Sequence, residues 1–123
     1  MIRHLVLFRL NEGVERDDPR VVAGAAAFRA LGDEIDELRF WECGWNISDR
    51  PIAYDFAINS AVEDTDALKR YLEHPAHQAG VAQWREFATW VIADYEFRVP
   101  LHPSPPPERR GAFVRCTPQL VDV

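Results

Sequence analysis

The chain has no basic run, no apolar stretch long enough to span a bilayer, and only 2 cysteines in 123 residues. Each absence removes a class of function. Acidic side chains outnumber basic ones 20 to 14, giving a formal net charge of −6, so neither nucleic acid nor an anionic membrane is an expected partner. A bilayer span needs about 18 consecutive apolar residues, and no segment approaches that; nor is there a signal-peptide pattern. The protein is therefore expected to be cytoplasmic. In that compartment Cys43 and Cys116 are expected to be free thiols, and neither sits in a CxxC or zinc-type spacing. A glycine-rich phosphate loop, a Walker sequence and a serine nucleophile elbow are also missing. A nucleotide, flavin or nicotinamide thus has no support, and no cofactor is expected. There is no internal repeat.

The length fits one domain, and 47% hydrophobic with 28% charged residues is an ordinary globular balance. Residues 2–10 (Ile2-Arg3-His4-Leu5-Val6-Leu7-Phe8-Arg9-Leu10) predict a strand. Ile2, His4, Val6, Phe8 and Leu10 share one face, and Leu5 and Leu7 the other, so both faces are expected to be covered. Asp17 or Asp18 can cap a helix that begins at Pro19, carries Val21, Val22, Ala25, Phe28 and Leu31, and stops at Gly32. Strands are predicted over Leu38–Trp45 and Ile52–Ala61, the latter with Ile52, Tyr54, Phe56 and Ile58 on one face. A second helix starts at Asp64 or Thr65 and carries Leu68, Tyr71 and Leu72. A further helix carries Val81, Trp84, Phe87 and Ala88, and a last strand runs over Trp90–Val99. From residue 100 the character changes: 6 of the 9 prolines lie there, so 1–99 is the folded domain and 100–123 a proline-rich tail or docking arm.

The order β-α-β-β-α-β gives an α+β, ferredoxin-like subunit: a four-stranded antiparallel sheet with helices on one face. The strand faces bearing Val6, Phe8, Tyr54, Phe56 and Ile58 are too apolar to leave in water. A second copy of the sheet is the economical cover, which predicts a homodimeric barrel.

The most informative stretch is Tyr71-Leu72-Glu73-His74-Pro75-Ala76-His77. Pro75 cannot continue the helix that enters from Leu68, but it can start a new one at the first position. A phenol and two imidazoles are thereby held around a fixed bend. Histidine both takes and gives a proton near neutrality, and a phenol beside it can polarise a carbonyl. His4, His74 and His77 would together suit zinc or iron. However, His-x-x-His straddles the helix break and no carboxylate lies in a familiar ligand spacing, so no metal is expected. Trp41, Trp45, Trp84, Trp90 and Phe97 are expected in the core or a subunit interface.

With these residues in view, the chain resembles the stress-responsive dimeric α/β-barrel (Dabb) family. The resemblance rests on His4-Leu5-Val6-Leu7-Phe8, on Tyr71-x-x-His74-Pro75-x-His77, and on Asp94-Tyr95 in the closing strand, and covers about residues 1–99. It implies a homodimeric barrel of ferredoxin-like subunits. Among its members is the plant olivetolic acid cyclase type, which performs an intramolecular aldol condensation without a cofactor. On that pattern Tyr71 and His77 are the acid–base pair and His4 lines the pocket. A third-strand pocket histidine of the cyclases is replaced here by Phe56, which implies a drier or differently shaped pocket and another product.

The expected function is cofactor-free acid–base catalysis on a small, apolar, carbonyl-bearing substrate, polyketide-like or aromatic, of cyclase, lyase or isomerase type. His77 is the expected base and Tyr71 its partner. His4, Val6, Phe8, Tyr54, Phe56 and His74 are expected to line the substrate pocket, although Pro75 also suits His74 to capping. Two other readings are a non-catalytic, stress-responsive dimer that binds a ligand, and a cofactor-independent monooxygenase.

Overall fold

The computed structural model describes residues 1–98; the expectations placed on segment 100–123, including the docking arm and the Cys116 thiol, fall outside it. The elements are β1 (Ile2–Leu10), α1 (Pro19–Glu34), β2 (Phe40–Trp45), β3 (Phe56–Val62), α2 (Thr65–Glu73), α3 (Pro75–Arg85) and β4 (Ala88–Glu96). They form one antiparallel sheet in the order β2-β3-β1-β4, with β1 central between β3 and β4. This is the ferredoxin-like arrangement, its second helical unit split in two by Pro75. Among the described residues, no helix is long and apolar enough to cross a membrane.

The helix boundaries follow from local chemistry. Asp18 caps α1 by accepting from the Arg20 N–H, and Asp64 caps α2 by accepting from Ala67 N–H. His74 ends α2 and caps α3 at once: its backbone is extended, as a residue before proline prefers, and its Nδ1 accepts from Ala76 N–H at 3.1 Å. Several ends differ from expectation. α1 does not stop at Gly32 but runs to Glu34, because the missing side chain makes room for Trp41: a Cβ there would lie 2.7 Å from the indole. β2 begins at Phe40 because Leu38 N–H is spent on a turn to the Ile35 carbonyl. β3 begins at Phe56, not Ile52, and Ile52 is exposed. α3 ends at Arg85, and Ala88 opens β4 rather than closing the helix.

The sheet's two faces are exchanged relative to the expectation. Val6, Phe8, Phe56 and Ile58 do not await a second sheet; they are buried under the helices with Val21, Phe28, Trp84 and Phe87. Trp84 is the hub, stacked on Phe28 and Phe56 at ring separations of 5.1 Å each. Its indole N–H is buried with no hydrogen-bond partner among the described residues, so the expected partner for it is not found. The helix-free face carries the other set: Leu5, Leu7, Val91, Ala93 and Tyr95, in register across β1 and β4. Tyr54 belongs to that side too, its ring 4.4 Å from the Arg9 guanidinium. Alternation misplaced it because the strand pattern breaks at Asp55, whose carboxylate accepts from Leu10 N–H at 2.8 Å.

Candidate functional site

A cavity of about 300 Å³ lies between the sheet and the helices, not between two sheets. Val6, Phe8 and Ile58 form its floor, Phe28, Leu72 and Val81 its helical wall, and Trp90 and Ile92 its side on β4. Its polar groups are His4, Tyr71, His77, Gln78 and Arg85. The structure thus brings together His4, Val6, Phe8, Tyr71 and His77 from the set expected to form the site. It does not bring in the remaining three. Tyr54 and Phe56 line a separate, open recess of about 500 Å³, and Phe56 is fully packed against Trp84 and Trp45. His74 is occupied in capping α3.

The break at Pro75 turns α3 so that His77 lies against Tyr71, with ring centroids 4.6 Å apart. The two are in contact without a hydrogen bond between them. Instead His77 Nδ1 is 3.0 Å from the Leu72 carbonyl oxygen, in the last turn of α2. A carbonyl only accepts, so in the neutral ring Nδ1 carries the proton and Nε2 is the basic nitrogen. Gln78 also donates to that carbonyl, at 2.6 Å. Burial, the largest influence, pushes the His77 pKa below its ordinary value, since desolvation penalises the charged ring. The Leu72 carbonyl opposes this, while the charges of His4 and His74 add to it. His77 is therefore held as a neutral base at pH 7.

Tyr71 is only 1% exposed. Burial, with added repulsion from Cys43 and Asp94, pushes its phenol well above the usual tyrosine range. It remains a hydrogen-bond donor at any physiological pH, and no hydrogen bond among the described residues engages its hydroxyl. His4 packs edge-on against the Tyr71 ring at 5.7 Å. Its Nδ1–H donates to the Asp94 carboxylate on β4, which fixes the tautomer and leaves Nε2 as the free acceptor. Asp94 entered the sequence analysis only as part of the family resemblance and was given no place in the site; the structure sets it against His4. The signal was present: Asp94 shares the alternating face of Trp90 and Ile92, directly opposite His4 in the β1–β4 register.

Cys43 is a free thiol, pushed up to about 11 chiefly by burial, and so is a poor nucleophile near neutrality. Among the described residues no three His, Cys, Asp or Glu side chains stand close enough to hold a metal ion.

The model of the stress responsive A/B barrel domain (Dabb) matches residues 2–97. The chain belongs to that family. An uncharacterized protein of Streptomyces coelicolor is 84% identical over 97 residues, spanning 79% of this chain and all of that one. A dimeric ferredoxin-like protein of unknown function from Thermobifida fusca superposes with a TM-score of 0.69 at 29% identity, over 78% of this chain and 90% of that one. The hydroxynitrile lyase of Passiflora edulis shares the fold, with a TM-score of 0.67 at 15% identity, over 82% of this chain and 96% of that one. This Dabb domain thus has the fold of dimeric ferredoxin-like relatives.

Proposed function

We propose that this Dabb protein is a cofactor-free acid–base enzyme that removes a proton beside the carbonyl of a small, largely apolar substrate, polyketide-like or aromatic. The observation that carries the reading is the hydrogen bond from His77 Nδ1 to the Leu72 carbonyl. It leaves a half-buried, neutral imidazole with Nε2 available, beside a phenol that stays protonated in the same cavity. In the step, His77 Nε2 takes the proton from carbon and the bonding pair moves onto the carbonyl oxygen. The Tyr71 hydroxyl donates a hydrogen bond to that oxygen as its charge develops. The resulting enolate can attack a second carbonyl, as in a cyclisation, or expel a leaving group, as in a lyase. His4, fixed by Asp94, offers a second acceptor nitrogen to the substrate's hydroxyl or enol. The lyase of Passiflora edulis supports the fold alone at its 15% identity.

The protein acts as a homodimer in this reading. Support comes from the dimeric relative of Thermobifida fusca and from the apolar helix-free face.

Deuterium incorporation tests the chemistry without knowledge of the natural substrate. The protein is incubated in D2O with 3-oxooctanoyl-N-acetylcysteamine, and exchange at the carbon between the carbonyls is followed by proton NMR. His77→Ala is expected to bring exchange to the uncatalysed rate. Tyr71→Phe is expected to slow it by about 10²–10³-fold, the usual loss of one donor to a developing oxyanion. Exchange in His77→Ala at the native rate would overturn the mechanism.

A further inference from the structure

One full charge remains at the cavity that proton transfer does not use. Arg85 is the last residue of α3, and it lines the mouth of the cavity and two shallow surface recesses beside it. Its guanidinium lies over the Trp90 ring, 5.7 Å from the centroid. That contact places the guanidinium over the ring and spends none of its N–H groups. No carboxylate or carbonyl among the described residues engages them. Asp94 is already spent on His4, and Glu86, which lines a surface recess with Arg85, lies outside the cavity lining and makes no ion pair with it among the described residues. On a chain of net charge −6, the cavity mouth therefore presents an unspent cation.

We infer that Arg85 makes this site selective for substrates that carry a carboxylate. The inference rests on the acid–base reading above and adds the substrate's chemical class. Arginine recognises a carboxylate through two parallel N–H···O bonds, a geometry that an ammonium cannot reproduce. With the carboxylate at Arg85, the apolar body of the ligand lies along Trp90 and Val81, and its far end reaches Tyr71 and His77. A favourable term with the dipole at the end of α3 accounts for a positive charge at this position, but not for an arginine laid on the cavity's own tryptophan.

The test uses 3,5-dihydroxybenzoate and its methyl ester, titrated into the whole protein by NMR. Shifts of the His77 ring and Trp90 indole signals place the ligand in the cavity and give both affinities. The native protein is expected to bind the acid about tenfold more tightly than the ester, the size appropriate to a charge-assisted pair at a partly exposed site. Arg85→Gln should abolish that preference by weakening the acid alone. Arg85→Lys, which keeps the charge at the helix end but not the fork, should restore only part of it. Equal binding of acid and ester by the native protein, or acid binding unchanged in Arg85→Gln, overturns the role of Arg85 and leaves the acid–base reading standing. Failure of both compounds to shift either signal overturns the two together.

Discussion

At the residue scale, the proposed activity turns on one imidazole whose environment sets its charge. His77 is kept neutral by burial, with its pKa below the ordinary histidine value of about 6.5. Two consequences follow, with opposite experimental handles. The base is active only when unprotonated, so kcat/KM for carbon–deuterium exchange should fall on the acid side of pH 6.5 and be flat from about pH 7 upward. Tyr71 adds no descending limb near neutrality, because its phenol is raised and stays protonated. Stability is linked to the same shift. The unfolded chain protonates His77 at a higher pH than the folded one does, so folding loses stability as pH falls from about 6.5 through the lowered folded value. His77→Gln lacks that term. The gap in urea midpoint between the native protein and His77→Gln should therefore shift against the native protein between pH 7 and pH 5. A gap that is constant across that range would show that His77 is not held neutral.

At the scale of elements, the junction of α2 and α3 decides where His77 stands. His74 satisfies the open N-terminus of α3 through Ala76 N–H, and Pro75 occupies the position where no donor is needed. His74→Ala should cost about 1 kcal/mol of stability, as loss of a helix cap does, whereas His74→Asn should restore it. Chemical denaturation measures both. Exchange activity should survive in His74→Asn; its loss there would make His74 a reacting group rather than a cap. This junction was legible in the sequence because proline acts on its immediate neighbours, and so the placing of Tyr71 and His77 on either side of a bend needed no tertiary information. The starts of α1 and α2 were legible to within one residue for the same reason, Asp17 or Asp18 and Asp64 or Thr65, and the structure assigns the caps to Asp18 and Asp64. What was not legible required distant contacts. Gly32 reads as a helix stop until Trp41 is seen filling the space above it. Asp94 acquires a role only through its register with His4, ninety residues away in sequence.

At the scale of the whole molecule, β1 is apolar on both sides, and nothing local distinguishes the side that receives helices from the side that does not. The helices decide it: Phe28, Trp84 and Phe87 close over Val6, Phe8, Phe56 and Ile58, and the uncovered face is then the one bearing Leu5, Leu7, Val91 and Tyr95. Leu7 is 42% exposed, Val91 48% and Tyr95 49%, on two paired strands that form a continuous apolar strip. Monomeric proteins rarely leave such a strip in water, and a sheet face covered by its own copy obeys two-fold symmetry. Leu7 and Val91 are directly opposite in the β1–β4 register, so a single pair of substitutions places like charges at the centre of the strip. Leu7→Glu with Val91→Glu should convert a dimer into a monomer, read as a halving of mass by light scattering. The far-UV circular dichroism should be retained, because neither side chain enters the helix-covered core. The cavity is built within one subunit, between its own sheet and helices, so the monomer should still bind 3,5-dihydroxybenzoate at His77. A doubly substituted protein that keeps its dimer mass would place the subunit contact on another surface, and loss of binding in a folded monomer would show that the partner completes the site.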